Sequence, residues 1–260
     1  MNKELVTVVI PIHLEEPPEL EKVSLAQTLK LLHKYPITFM TKGNLKTTWY
    51  EEFCRGKATI HFERWIWDGF DGFGELMTSH KFYGRFRAAY KFILICHTDA
   101  FVFRDELDKW CALDYDYIGS VIYNTHWDGA NTVPLRILGF TRPEYYANGG
   151  FTLKKIETFY RISYTFRLYL FLLHWVRKVR KRGFLDDIFI AQLFPNLSKS
   201  FTQPPLKIAQ QFGAAYENFD EKALPFTNDD IKSLPFGTHG WTKYHPDFWK
   251  KSIRECGYDV

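Results

Sequence analysis

The sequence predicts a single α/β domain with a central, mostly parallel sheet flanked by helices. Three observations carry that expectation. The chain opens on a β-branched run, Leu5 to Ile12, that reads as a first strand. A loop, a helical pattern and a second strand follow, which makes a βαβ unit with a right-handed crossover. Tyr90 to Phe103 is a buried-strand run broken by the polar triplet His97-Thr98-Asp99, as expected of a central strand covered on both faces.

Each element has its local reason. Glu19 to Lys34 carries Leu20, Val23, Leu25, Leu29 and Leu32 near helical spacing, and Pro36 ends it. Ile37 to Met40 reads as the second strand and Ala58 to Phe62 as a short third one. Trp65 to Phe73, rich in Gly, Asp and aromatics, reads as loop. Glu75 to Tyr90 reads as one helix feeding the strand that stops before Asp99. Asp116 to Ile122 is another short strand. Tyr123 to Tyr146, with Gly, Pro, Asn and Trp, is expected as a long loop over a site. Phe151-Thr152-Leu153 is strand-like, and a helical region starts at Ile156. The tail after Phe212, with its prolines and aromatics, is expected to wrap the surface of the sheet.

Composition bounds the rest. The 260 residues suit one α/β domain with a substantial core, 46% apolar and 25% charged. Aromatics reach 18%, which suits stacking on flat rings or sugar faces as well as core packing. A net charge of +4 does not indicate a nucleic-acid partner, though it suits an anionic ligand. Cys54, Cys96, Cys111 and Cys256 are scattered without zinc or CxxC spacing, so free thiols in a reducing cytoplasm are expected. The start lacks a secretory signal pattern, and no stretch is long and apolar enough to span a bilayer.

Four segments carry candidate chemistry. Asp99 ends a strand, at the sheet edge where open α/β sheets bind ligands; the plain alternative is a cap on the next turn. Asn148-Gly149-Gly150-Phe151 pairs glycines, which allow positive φ and close backbone approach, with an amide that can bind hydroxyls; a tight hairpin turn is the alternative. Asp186-Asp187 follows Gly183, read as the end of the preceding helix. The two carboxylates stand where a helix would open, so simple capping competes with a catalytic role. Thr238-His239-Gly240-Trp241 places a histidine between small residues, near a diphosphate or metal or else in a structural role. Arg85, Arg87 and Lys42 are further cations that could reach a diphosphate, or stay solvated.

In that order the segments resemble the motif series of GT-A glycosyltransferases, over about Leu5 to Trp241. The resemblance implies a GT-A-like (Rossmann-like) domain, with a nucleotide-binding half (1–125) and an acceptor-side half with C-terminal wrap (126–260). His97-Thr98-Asp99 is similar to the Asp-x-Asp motif, whose carboxylate binds a divalent metal on the sugar-nucleotide diphosphate. His97 departs from it: Mn²⁺ accepts imidazole, whereas Mg²⁺ prefers oxygen. Asp99 could instead bond the ribose or the donor sugar.

The other segments carry over in the same way. Val8 to Ile12 resembles the opening strand, so Ile12 would border the nucleotide. Asn148, Gly149, Gly150 and Phe151 look like a donor-sugar segment of galactosyl- and N-acetylhexosaminyltransferases. Asp186-Asp187 resembles the acidic pair of inverting members, with Asp187 as base and Asp186 the alternative. His239 resembles a late metal ligand. Together these imply Asp99 and His239 as metal ligands, and Mn²⁺ or Mg²⁺ as cofactor. They also imply a UDP- or GDP-type sugar donor and a glycan acceptor.

Arg161 to Arg182 has seven Lys/Arg and no acidic residue around Leu168 to Leu173. Such a helix suits an anionic membrane surface, or else the core with a solvated basic end. The expected function is an inverting glycosyltransferase acting on a glycan or lipid-linked glycan. It would work in the cytoplasm, peripherally at the inner face of the membrane, in cell-surface polysaccharide synthesis. A metal-dependent phosphoesterase and a non-catalytic glycan- or membrane-binding module are the rivals.

Overall fold

A computed structural model describes residues 3–122, 143–181, 183, 185–215 and 224–260. The expected loop from Tyr123 lies, up to residue 142, outside the described residues.

In the first half, β1 (Glu4–Ile12), α1 (Glu19–Leu32), β2 (Ile37–Lys42), α2 (Thr48–Cys54) and β3 (Ile60–Trp65) make two successive crossovers. α3 (Gly69–Met77) and α4 (His80–Phe86) lead into β4 (Tyr90–Cys96), which is followed by β5 (Ala100–Val102), α5 (Leu107–Ala112) and β6 (Tyr117–Ile122). The second half holds β7 (Tyr146–Lys155), α6 (Ile156–Thr165), α7 (Arg167–Val179), α8 (Asp186–Leu197), α9 (Leu206–Phe212), β8 (Gly213–Ala215), β9 (Gly237–His239) and α10 (Pro246–Glu255).

The nine strands among the described residues form one sheet, β3-β2-β1-β4-β7-β6-β8-β9-β5. β3, β2, β1 and β4 run parallel, as do β6, β8 and β9. β7 lies antiparallel between β4 and β6, and β5 antiparallel on β9. Both faces are covered, as the apolar strands require. Val8, Ile10, Leu94, Phe151 and Leu153 pack toward α1, α2 and α5, while Val9, Ile93, Ile95 and Tyr117 pack toward α4, α6 and α8.

Three local expectations change, and one alternative is excluded. Part of the region read as loop, from Gly69, is helical and belongs to α3. The single helix expected over Glu75 to Tyr90 is two short ones. Thr78 donates from its backbone N to the carbonyls of Gly74 (3.2 Å) and Glu75 (3.3 Å), and its Oγ1 bonds both as well. Ser79 then caps α4 by accepting from Lys81 N. The Asn148-Gly149-Gly150 segment is not a turn. It sits inside β7, where the register against β6 shifts between Gly119 and Ser120 and the strand bulges. The tail does not merely wrap the sheet: β8 and β9 join it as strands. Buried Trp241 then ties the tail to α1 by donating from Nε1 to Ser24 Oγ at 2.7 Å.

The tail is cemented by aromatic packing. Phe151, fully buried, lies 5.2 Å from the ring of Phe212 and 5.4 Å from that of Phe236. Phe151→Ala should cost ~3–5 kcal/mol, as large-to-small core changes of aromatics do. The expected result is a lower urea midpoint with an unchanged m-value.

Candidate active site

The site begins where β4 stops. His97-Thr98-Asp99 turns the chain between an inner strand and an edge strand, with Ala100 N bonding His97 O at 3.0 Å. Thr98 Oγ1 is held by the carboxylate of Glu21. The turn presents Asp99, which is buried, toward β9. There His239 Nε2 lies 3.1 Å from Asp99 Oδ1. Gly240 has φ +74°, a conformation glycine adopts without strain, and it bends the chain so that Lys243 Nζ meets Asp99 Oδ2 at 2.9 Å.

His97 and His239 stand edge to face, 5.3 Å between centroids. Both Nε2 atoms are buried; that of His97 has no hydrogen-bond partner among the described residues, and that of His239 has only the contact with Asp99. Burial and neighbouring His239 push the His97 imidazole down to about 3, so it is neutral and carries a free lone pair or one N–H. Burial opposes ionisation of Asp99, but His239, His97 and Lys243 outweigh it and hold the carboxyl below the ordinary range. One donor atom from each of His97, Asp99 and His239 lies within 4.8 Å of the others. A partnerless nitrogen on His97, the His239 imidazole and the Asp99 carboxylate fit a divalent first-row ion; the donor set suits Mn²⁺ better than Mg²⁺.

The glycine pair of β7 forms the floor. A Cβ at residue 150 would lie 2.1 Å from His239 Nε2, so only glycine leaves room for that ring. Neither Gly149 nor Gly150 has positive φ, so close approach is the reason for both. A Cβ at residue 149 would meet Asp186 Oδ2 at 3.3 Å. Asn148 Oδ1 accepts from Gly150 N at 2.8 Å, and His97 N donates to Gly150 O at 2.8 Å.

Across the floor, α8 opens on Asp186 and Asp187. Asp187 Oδ1 accepts from Ile188 N at 2.8 Å, a bond at a helix N-terminus that favours a carboxylate there. The preceding helix ends at Val179, and the left-handed residue after it is Lys181 (φ 50°), not Gly183. Gly183 instead accepts from Arg177 Nε at 2.9 Å. Asp186 Oδ2 is 3.9 Å from Lys154 Nζ. Lys154 is wholly buried on β7, over the rings of Phe159 (5.5 Å) and Tyr117 (6.0 Å). Burial lowers the Lys154 ammonium and raises Asp186. Burial, then the charge of Asp186, pushes Asp187 up to about 7.

These groups share one cavity of about 380 Å³, lined by His97, Asp99, Asn148, Gly149, Gly150, Asp186, Asp187 and His239, with Lys243, Tyr244, Phe70 and Phe73. Two expected donor residues stand outside that lining. Ile12 packs in the core against α1 and α2, and Phe151 alternates away from Gly150 into the aromatic core. Arg85 pairs with Glu63, Arg87 with Glu157, and Lys42 lies over Trp67, none of them in the lining. Lys243 and Lys154 are additions: the first stands four residues beyond His239, the second is hidden in a Lys-Lys doublet.

A family model described as a protein of unknown function (DUF5672) matches residues 58–239, which includes Asp99, the glycine pair, the acidic pair and His239. The chain belongs to the DUF5672 family. No curated protein matches the sequence. Solved structures resemble this DUF5672 chain over most of its length. Galactosyltransferase LgtC, in complex with donor and acceptor sugar analogs, aligns at TM-score 0.56 and 13% identity, covering 96% of this chain and 95% of that one. Mouse xyloside xylosyltransferase 1, apo form, aligns at TM-score 0.54 and 13% identity, covering 92% and 98%. The bifunctional glycosyltransferase WbbM, apo, gives 0.52 and 14%, covering 96% of this chain and 50% of that one. The fold of this DUF5672 chain is therefore the GT-A type.

The raised Asp187 carboxyl has a stability signature. Its folded-state value of about 7 exceeds the ordinary 3.8, so its contribution is full at low pH and is lost as pH rises through about 7. Asp187→Asn removes that loss. Stability curves should show the variant gaining on the parent between about pH 4 and pH 7, and level above that, by on the order of a few kcal/mol.

Proposed function

We propose that this chain is a glycosyltransferase that moves a sugar from a UDP- or GDP-type donor to a glycan acceptor, with inversion. The observation that carries the reading is the shared cavity, in which Asp99 and Asp187 face a common space from two separate elements. Its size suits a small-molecule site. The GT-A fold, common to the glycosyltransferases compared above, supports the same reading.

On this reading the donor diphosphate lies at the Asp99 end. His97, Asp99 and His239 would hold a divalent cation, which when bound offsets the phosphate charge and stabilises the departing diphosphate. Lys243, now paired with Asp99, would turn its ammonium to a phosphate oxygen. Asn148 and the open backbone of Gly149 and Gly150 would bind sugar hydroxyls. Asp187 would take the acceptor hydroxyl's proton as its oxygen attacks the anomeric carbon, on the face opposite the leaving diphosphate. A carboxyl near 7 is matched to that task at neutral pH. Asp186 is the alternative base, but its ion pair with Lys154 suits it better to raising Asp187. On this reading Asp99 belongs to the donor half (1–125) and Asp187 to the acceptor half (126–260), while Asn148, Gly149, Gly150, His239 and Lys243 of the second half would reach the donor. A membrane-carried acceptor at the cytoplasmic face fits cell-surface polysaccharide synthesis.

Thermal shift with UDP, GDP, CMP and dTDP, with Mn²⁺ or Mg²⁺, tests the donor end. One nucleoside diphosphate should raise Tm with Mn²⁺ and much less with Mg²⁺. A hundredfold excess over Kd is worth ~2.7 kcal/mol, at roughly 2–4 °C per kcal/mol. Asp99→Asn should lose the shift. Asp187→Asn should keep it and lose transfer from the matching nucleotide-sugar by about 10²–10⁴-fold. Phosphate-ester hydrolysis without transfer would instead indicate a phosphoesterase, and no nucleotide response at all a binding module.

A further inference from the structure

The most conspicuous surface outside the cavity is the outer face of α7. Leu168, Phe171, Leu172, Trp175, Val176 and Val179 are all exposed, Leu168 to 71% and Trp175 to 55%. At 100° per residue they fall on one arc of about 140°. The opposite face is the anchored one: Leu170 and Arg177 are buried, and Arg177 lies over Phe189 of α8 at 4.7 Å. Arg167, Lys178 and Arg180 border the apolar arc and are exposed, as are Arg161 and Lys181 near its ends. No carboxylate occurs between Glu157 and Asp186.

The patch continues toward the cavity. Ile66, 96% exposed after β3, shares a surface hollow with Arg167, Phe171 and His174 of α7. Phe70, 88% exposed and four residues on, lines the rim of the cavity that holds Asp187. Two exposed apolar side chains, Ile66 and Phe70, thus stand between α7 and the mouth of the site, with the exposed carboxylates of Asp68, Asp71 and Glu75 beside them.

We propose that the outer face of α7, extended by Ile66 and Phe70, docks on an anionic lipid bilayer and holds the cavity mouth at its surface. Charge selects that occupant. An apolar arc with a tryptophan at its centre and cations along both borders matches the acyl–headgroup boundary of an acidic membrane. A second copy fits poorly over α7 itself, because pairing two such helix faces sets cation against cation with no carboxylate between Glu157 and Asp186 to answer them; the carboxylates of Asp68, Asp71 and Glu75 lie only beside the Ile66–Phe70 extension. No helix among the described residues is long and apolar enough to cross a membrane, so the contact would be peripheral. Presentation of a lipid-carried acceptor to Asp187 rests on the transferase reading; membrane binding itself does not.

The test is co-sedimentation of the full chain with vesicles of phosphatidylcholine alone or with about one-third phosphatidylglycerol. The chain should pellet with the anionic vesicles, release as salt is raised, and remain free of the neutral ones. Phe171→Ser/Trp175→Ser should weaken partitioning at least tenfold, and Lys178→Gln/Arg180→Gln severalfold, with far-UV circular dichroism unchanged. Absent binding to anionic vesicles, or binding unaffected by the Phe171/Trp175 change, overturns the proposal. So does a vesicle-free dimer that this change dissolves, which would make the face a self-interface. Nucleotide-induced stabilisation of the unmodified chain, read in parallel, reports the transferase reading separately.

Discussion

The ring of His239 occupies the space that a side chain at position 150 would need. That contact joins two distant parts of the chain and fixes the site. β7 supplies the bare backbone, and it can do so only because it enters the sheet antiparallel between β4 and β6. β9 supplies the ring, held by pairing with β8 and β5. The turn at His97-Thr98-Asp99 connects β4, beside β7, to β5, beside β9, so Asp99 must lie between the two. The backbone closes the arrangement: His97 N reaches Gly150 O, and Gly240 N reaches Asp99 O at 3.0 Å.

The cavity built on this floor has two electrostatic poles. At one, a single carboxylate is surrounded by two imidazoles and an ammonium. Asp99 meets His239 and Lys243, and the Nε2 of His97 is left without a partner among the described residues. At the other, two carboxylates share the start of α8 with one buried lysine behind them. Leaving both carboxylates charged in a dry site is costly, and Lys154 can answer only the nearer. The helix N-terminus lowers that cost without removing it, and Asp187 stays near neutrality.

Much of this was legible in the sequence. The apolar runs of β1 and β4 announced a sheet covered on both faces, and the four polar segments that converge are those picked out by residue type. What was not legible depends on register and distant pairing. Phe151 stands beside Gly150 in sequence yet faces the core, because a strand alternates its side chains. Lys154 looks like half of a solvated doublet, but the same alternation turns Lys155 outward and Lys154 inward. Lys243 belongs to the site only because Gly240 folds the chain back. The tail strands, three residues each, are too short to show a period and form only on the edge offered by β6.

The acidic pair and the basic surface helix are joined by more than proximity. Arg177 projects from the inner side of α7, donates to the Gly183 carbonyl on the link to α8, and stacks over Phe189 within α8. A buried guanidinium holds its position only while its acceptors do. The same residue therefore orients the apolar arc outward and steadies the helix whose first turn carries Asp186 and Asp187. One buried side chain thus ties the exposed amphipathic helix to the helix N-terminus that carries the acidic pair.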